Sequence, residues 1–165
     1  MRASGRDKAQ DYADKFGCEF HAGEKPWGVK VDIAMPCATQ NEINLDEAKK
    51  IIANGTKYYI EVANMPTTEE ATELFMNTDG VIIAPSKAVN AGGVCVSGLE
   101  MSQNSQRLAW TAEEVDERLH NAMINIHKQS VEAAERYGLG YDLVAGANIA
   151  GFEKVAQAML SQGIY

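Results

Sequence analysis

The chain has 165 residues, 45% of them hydrophobic and 23% charged, with a formal net charge of −8. That is the composition of one soluble globular domain with enough residues to bury a real core. The acidic balance argues against a protein that grips nucleic acid through a basic face, and no apolar run approaches the ~20 residues that a bilayer span needs.

In chain order, residues 6–16 read as a polar helix stopped by Gly17. Residues 18–22 read as a short edge strand before the turn at Gly23-Glu24-Lys25-Pro26. Residues 31–35 form the first strong strand. Asn44 and Glu47 then stand where a capping box belongs, so a helix opens there, and Gly55 closes it. Residues 58–63 are a second strand, Thr67-Thr68-Glu69-Glu70 start a helix running through Leu74, Phe75 and Met76, and residues 80–84 are a third strand. Gly92 to Ala109 reads as a helix with a glycine-rich start. Thr111-Ala112-Glu113-Glu114 open a long one with a stripe of Val115, Leu119, Ala122, Ile126 and Ala133, ending at Gly138. The last helix is expected from about Ile149 to Leu160, after Asp142-Leu143-Val144-Ala145-Gly146-Ala147-Asn148. No linker or low-complexity segment divides the chain.

Strands alternating with helices imply a parallel α/β sheet, whose ligands sit beyond the strands' carboxyl ends. Three loops leave those ends: Pro36-Cys37-Ala38-Thr39-Gln40-Asn41, Asn64-Met65-Pro66-Thr67-Thr68, and Pro85-Ser86-Lys87-Ala88-Val89-Asn90-Ala91-Gly92-Gly93. They should share one edge and line one site. Asn90 offers a donor and an acceptor, which suits a carboxamide such as nicotinamide. Gly92 and Gly93 either admit a ligand to free N–H groups or let the helix pack closely on the sheet.

Taken singly, other residues have plainer explanations. An isolated Asn64 is most often a turn residue, Cys37 a buried filler, Ser97 a backbone-bonded helix serine and Lys87 an exposed loop lysine. Glu117 with His120 has metal-helix spacing but no matching ligands, so no metal is expected. His120 and His127 read as solvated helix residues. Cys18, Cys37 and Cys95 form no Cys-x-x-Cys pair and read as free thiols, and the amino terminus has no apolar signal core, so a cytoplasmic location is expected. The chain lacks a Gly-x-Ser-x-Gly elbow, a phosphate-loop lysine and the Gly-x-Gly-x-x-Gly of a first mononucleotide half. The fold class is therefore a partial Rossmann-like, doubly wound parallel sheet, second half only, with carboxyl-terminal helices.

Pro36-Cys37-Ala38-Thr39-Gln40-Asn41-Glu42, Ala63-Asn64-Met65-Pro66-Thr67-Thr68, Asn90-Ala91-Gly92-Gly93-Val94 with Ser97-Gly98-Leu99-Glu100-Met101-Ser102-Gln103-Asn104, and Gly146-Ala147-Asn148-Ile149-Ala150-Gly151-Phe152 closely resemble the hexameric glutamate dehydrogenases. The resemblance runs from about Lys8 to Tyr165. It implies that residues 1–165 are the carboxyl-terminal part of a coenzyme-binding domain, from an oxidoreductase that deaminates L-glutamate to 2-oxoglutarate and ammonia with NAD or NADP. It implies that Cys37, Ala38 and Thr39 lie against the coenzyme and that Asn64 and Asn90 bond its nicotinamide-ribose end. Val94 and Ser97 would touch glutamate, Ser97 at its side-chain carboxylate.

The family's catalytic lysine and aspartate lie in an amino-terminal substrate domain with no counterpart here, so no catalytic residue is assigned and this chain alone is expected not to turn over glutamate. Met1 to Arg6 resemble the inside of a continuous helical region, which suggests truncation. A sheet cut between its halves exposes an edge that invites self-association, and the resemblance implies a homo-oligomer. Rival readings are a stand-alone nucleotide-binding or interaction module and a dehydrogenase for another amino acid. Stabilisation by coenzyme separates the first from the favoured reading, for which little or no shift in melting temperature is expected.

Overall fold

The computed structural model describes residues 9–163. Three parallel strands form one sheet in the order β1 (Ile33–Ala34), β2 (Tyr58–Ile60), β3 (Ile82–Ala84). Ile33 lies opposite Tyr58, and Tyr59 opposite Ile83. The expected parallel α/β architecture is present, with strands shorter than the apolar runs that announced them. Residues 18–22 form no strand, which corrects the edge-strand expectation. A lone extended segment without a ladder partner gains no inter-strand hydrogen bonds.

Helix α1 (Ala9–Phe16) ends at Gly17, whose φ of +69° is the left-handed stop that glycine adopts freely. The first residues of the expected helix lie outside the described ones. Between β1 and β2 runs α2 (Leu45–Ala53), and between β2 and β3 runs α3 (Glu69–Met76). The predicted capping box of α2 is formed: Asn44 accepts from the Asp46 and Glu47 amides, and Glu47 accepts from the Asn44 amide. Both helices cover one face of the sheet around a core of Ala34, Ile43, Ala48, Ile51, Tyr59, Ala71, Phe75 and Ile83. Tyr59 stacks on Phe75 with ring centroids 4.0 Å apart, and its hydroxyl hydrogen-bonds Thr67 Oγ1 at 2.7 Å. The period of two along β2 puts Tyr59 inside and leaves Tyr58 exposed on the other face.

After β3 come the single turn α4 (Ser86–Val89), then α5 (Ala91–Gln106), α6 (Ala112–Arg136) and α7 (Leu143–Gln162). Thr111 and Glu114 make the second capping box, at the start of α6. The last helix begins six residues earlier than expected, at Leu143 rather than Ile149. Asp142 caps it by accepting from the Ala145 amide at 2.9 Å, and Gly146 sits within its first turn. That glycine is tolerated because α7 lies directly on α6 there: a Cβ would stand 2.0 Å from the Ser130 carbonyl oxygen. None of the described helices is long and apolar enough to cross a membrane.

Candidate functional site

The loops after β1 and β2 are tied by their backbones. The Asn41 amide donates to the Met65 carbonyl at 2.9 Å, the Ile43 amide to Pro66 at 2.8 Å, and the Thr68 amide returns to Ile43 at 3.0 Å. At this crossing Asn41 and Met65 hold φ of 53° and 46°, left-handed values that are costly for residues with a Cβ. The neighbouring packing holds them there, since Ile43 and Pro66 on either side are fully buried.

The loop after β3 is joined by side chains instead. The Glu61 carboxylate accepts from the Ser86 amide at 2.9 Å. Four residues later, Asn90 donates from Nδ2 to Asn64 Oδ1 at 2.6 Å. All three loops therefore meet at the carboxyl edge of the sheet, as their repetition implied. They open into a crevice of about 600 Å³ lined by Cys37, Ala38, Gln40, Val62, Ala63, Asn64, Asn90 and Val94.

Of the seven residues expected at the site, Cys37, Ala38, Asn64, Asn90 and Val94 line this crevice, with Val94 75% exposed. Thr39 lies in the same loop, with its amide 3.5 Å from Glu42 Oε2, and is not among the lining residues. Ser97 is exposed one turn along α5, its hydroxyl donating to the Gly93 carbonyl at 3.2 Å, and it too lies outside the lining. The Cys37 thiol is turned to the Met35 carbonyl at 3.2 Å.

The alternatives for the two glycines divide between them. Gly92 packs on α6 rather than on the sheet, where an added Cβ would come within 3.4 Å of Leu119 and Met123. Gly93 has nothing within 4 Å of that position and stays open to approach. Lys87 turns away from the crevice and donates to the Asn148 side chain on α7. His127 is exposed but paired with the Tyr141 hydroxyl at 2.7 Å, and among the described residues no His, Cys, Asp and Glu group could hold a metal ion. Sequence patterning gives no role to Gln40 or to the buried Glu61. For Glu61 the available signal is a carboxylate inside the apolar run Tyr58-Tyr59-Ile60-Glu61-Val62-Ala63.

The Asn64–Asn90 pair has a definite chemistry. Each amide commits one group to the other, so the pair leaves amide N–H donors on one residue and a carbonyl acceptor on the other, whichever way round the two are set. That presents the complement of a primary carboxamide. The remaining lining is small or apolar apart from Gln40 and Cys37, so the crevice offers shape and amide polarity rather than charge.

A family model for Glutamate/Leucine/Phenylalanine/Valine dehydrogenase matches residues 1–163. The NAD-specific glutamate dehydrogenase of Clostridium symbiosum is 70% identical over 164 residues, which is 99% of this chain and 36% of that protein. The NADP-specific glutamate dehydrogenase of Escherichia coli (strain K12) is 56% identical, again over 99% of this chain and 36% of the relative. Among solved structures, a glutamate dehydrogenase at 70% identity superposes with a TM-score of 0.95 over 99% of this chain and 36% of its own. The Plasmodium falciparum glutamate dehydrogenase, at 47% identity, gives a TM-score of 0.92 over 98% of this chain and 35% of its own. The chain thus spans about a third of the length of the relatives it matches, and over that span it shares their fold at 47–70% sequence identity. It belongs to the glutamate/leucine/phenylalanine/valine dehydrogenase family.

Proposed function

We propose that residues 1–165 are the carboxyl-terminal part of the coenzyme-binding domain of a glutamate dehydrogenase, and that the crevice receives the nicotinamide end of NAD or NADP. The observation that carries this reading is the Asn64–Asn90 pair, held at the meeting point of three strand-end loops with amide N–H donors and a carbonyl acceptor left uncommitted by their mutual bond. When bound, the oxidised coenzyme would supply a hydride acceptor for the α-carbon of L-glutamate, the chemistry that leads to 2-oxoglutarate and ammonia. Asn64 and Asn90 hold its carboxamide and ribose end. Cys37 and Ala38 would form the wall along it, with Thr39 next to them in the same loop, and open Gly93 would allow close approach to the α5 backbone. Val94 and Ser97, one turn apart on α5, would face the substrate, Ser97 reaching the distal carboxylate by giving up its bond to the Gly93 carbonyl.

Within the crevice lining the only titratable side chain is Cys37, and its thiol is directed at a carbonyl. Deamination needs groups that move protons at the substrate nitrogen, so the general acid and base are not among these residues. The working protein is read as a homo-oligomer in the cytoplasm. The first point is carried over from the family resemblance, and three free cysteines support the second.

The test is a titration of this chain with NADH and NADPH, followed through backbone and side-chain amide resonances. Weak binding is expected, with shifts concentrated at residues 37–39, Asn64, Asn90 and Gly93. Shifts elsewhere, or none at saturating coenzyme, would overturn the reading. Incubation with L-glutamate and oxidised coenzyme should yield no reduced coenzyme, and a glutamate-dependent signal would show that the acid and base are present after all.

A further inference from the structure

We propose that Glu61 is a positioning residue for the amide pair: its buried carboxylate fixes the start of α4, and α4 sets Asn90 against Asn64. The functional meaning of this rests on the coenzyme reading above, while the mechanical claim stands on the hydrogen bonds themselves.

Glu61 is only 7% exposed, an unusual place for a carboxylate. Its backbone amide is fixed to Ala84 at 3.0 Å, which anchors it to the end of β3. Its Oε2 accepts from the Ser86 amide at 2.9 Å. The Ser86 carbonyl accepts from the Asn90 amide at 2.9 Å, and the Asn90 side chain donates to Asn64 at 2.6 Å. Asn64 is three residues after Glu61 on the same segment. These contacts close a ring that leaves the β2 end, crosses to α4, and returns to the β2 loop.

The turn has other ties, in Lys87, which donates to Asn148, and in the Ala88 and Val89 amides, which donate to the Pro85 carbonyl, but none of them engages the Ser86 amide. Its N-cap is Pro85, and no side-chain hydrogen bond comes from that residue. One turn of four residues does not recover its own nucleation cost. A carboxylate at its start supplies an acceptor for an orphan amide and a negative charge at the positive end of the turn. Filling of space is the competing account of a buried Glu61, and it makes a different prediction about which variants are tolerated.

The experiment compares Glu61→Gln, which keeps an acceptor, with Glu61→Met, which keeps the length and removes it. The readouts are hydrogen exchange at the Ser86 amide and the side-chain amide resonances of Asn64 and Asn90, with core amides around Tyr59 and Phe75 reporting that each variant is folded. In Glu61→Met, Ser86 should exchange roughly ten- to a hundredfold faster, as expected on losing a hydrogen bond to a charged group, and the Asn90 side-chain amide should move to a solvated position. Glu61→Gln should stay within about threefold of the parent at Ser86 and keep the paired amide signals. Native exchange and paired amides in Glu61→Met would overturn the proposal, as would a Glu61→Gln as perturbed as Glu61→Met. Repeating the NADH titration on both variants separates the two readings. If the parent shows no coenzyme shifts, the coenzyme reading fails, and the Ser86 and asparagine signals still decide the role of Glu61.

Discussion

Replacing Gly146 by alanine sets two effects of known sign against each other. Alanine in a helix interior is favoured over glycine by about 1 kcal/mol, so propensity alone predicts a more stable protein. The structure predicts the reverse. The new methyl would stand 2.0 Å from the Ser130 carbonyl oxygen, 2.8 Å from its carbon and 3.2 Å from the Ala134 Cβ. Ordinary contact begins at 3.4 Å, so along the shortest line the helices must part by about 1.4 Å. The obstacle is backbone, and no rotamer change relieves it. Ser130, Ala133, Ala134 and Leu143 are all buried in this contact, so parting α6 from α7 loosens well-packed surface. Overpacking of this kind costs about 3 kcal/mol at the upper end of its usual range, leaving a net loss of about 2 kcal/mol. For a chain of this size that lowers the melting temperature by about 4–8 °C. Gly151, on the same helix with nothing within 4 Å of the place an added methyl would take, is the control. Gly151→Ala should raise stability by about 0.5–1 kcal/mol. The assay is thermal and urea unfolding of the two variants beside the parent. If Gly146→Ala melts at or above the parent, the close α6–α7 contact is refuted, because nothing else in the helix offsets the propensity gain.

The core, the cap and the crevice each supply a further test. Tyr59→Phe removes the buried bond to Thr67 and should cost about 1–2 kcal/mol in urea unfolding. Burial pushes the Tyr59 phenol above its ordinary value of 10.0. It therefore stays protonated in the folded chain while the unfolded phenol ionises, so this contribution to stability is whole below pH 10 and falls as pH rises past it. Tyr59→Phe should flatten that part of the alkaline slope, and an unchanged slope would contradict the burial. Asn44→Ala deletes the acceptor for the Asp46 and Glu47 amides and should cost about 1 kcal/mol, with Asn44→Ser close to the parent. Asn64→Ala should change stability by less than about 0.5 kcal/mol, since its bond to Asn90 is exposed, yet abolish the coenzyme-induced shift at Asn90.

Some boundaries are legible in the sequence because the residues that set them act over three or four positions. Asn44 with Glu47 and Thr111 with Glu114 are local devices, and both appear in the structure as read. Gly17 and Gly138 end α1 and α6 with positive φ, again a property of single residues. The start of α7 is not legible, because Gly146 looks like a breaker until the Ser130 carbonyl beside it is known, and that neighbour comes from another helix. Residues 18–22 alternate well enough for a strand, but strand formation depends on a partner that local pattern does not reveal. In the crevice, the convergence of Cys37, Ala38, Asn64, Asn90 and Val94 follows from topology alone. Glu61 escapes notice for the opposite reason: its partner, Ser86, is 25 residues away, and one carboxylate in an apolar run carries no sign of where its bond goes.

That contrast also says where the crevice is sensitive to sequence. The loops after β1 and β2 are held by main-chain bonds between Asn41 and Met65 and between Ile43, Pro66 and Thr68. Main-chain bonds survive a change of side chain, so the wall carrying Cys37 and Ala38 can vary in surface while keeping its place. The third loop has no such backbone tie to its neighbours in the crevice. Glu61 reaches its start, Asn64 its end, and Lys87 ties its middle to Asn148 on α7, so its position is written in side chains. Replacing Glu61 or Asn64 frees one end of α4, and a four-residue turn has no interior hydrogen bonds to spare. The amide pair, proposed as the recognition element, is thus also part of its own scaffold. Changes at Asn64 and Asn90 should therefore act on coenzyme geometry more than on global stability, because the bond between them lies outside the core built on Tyr59 and Phe75.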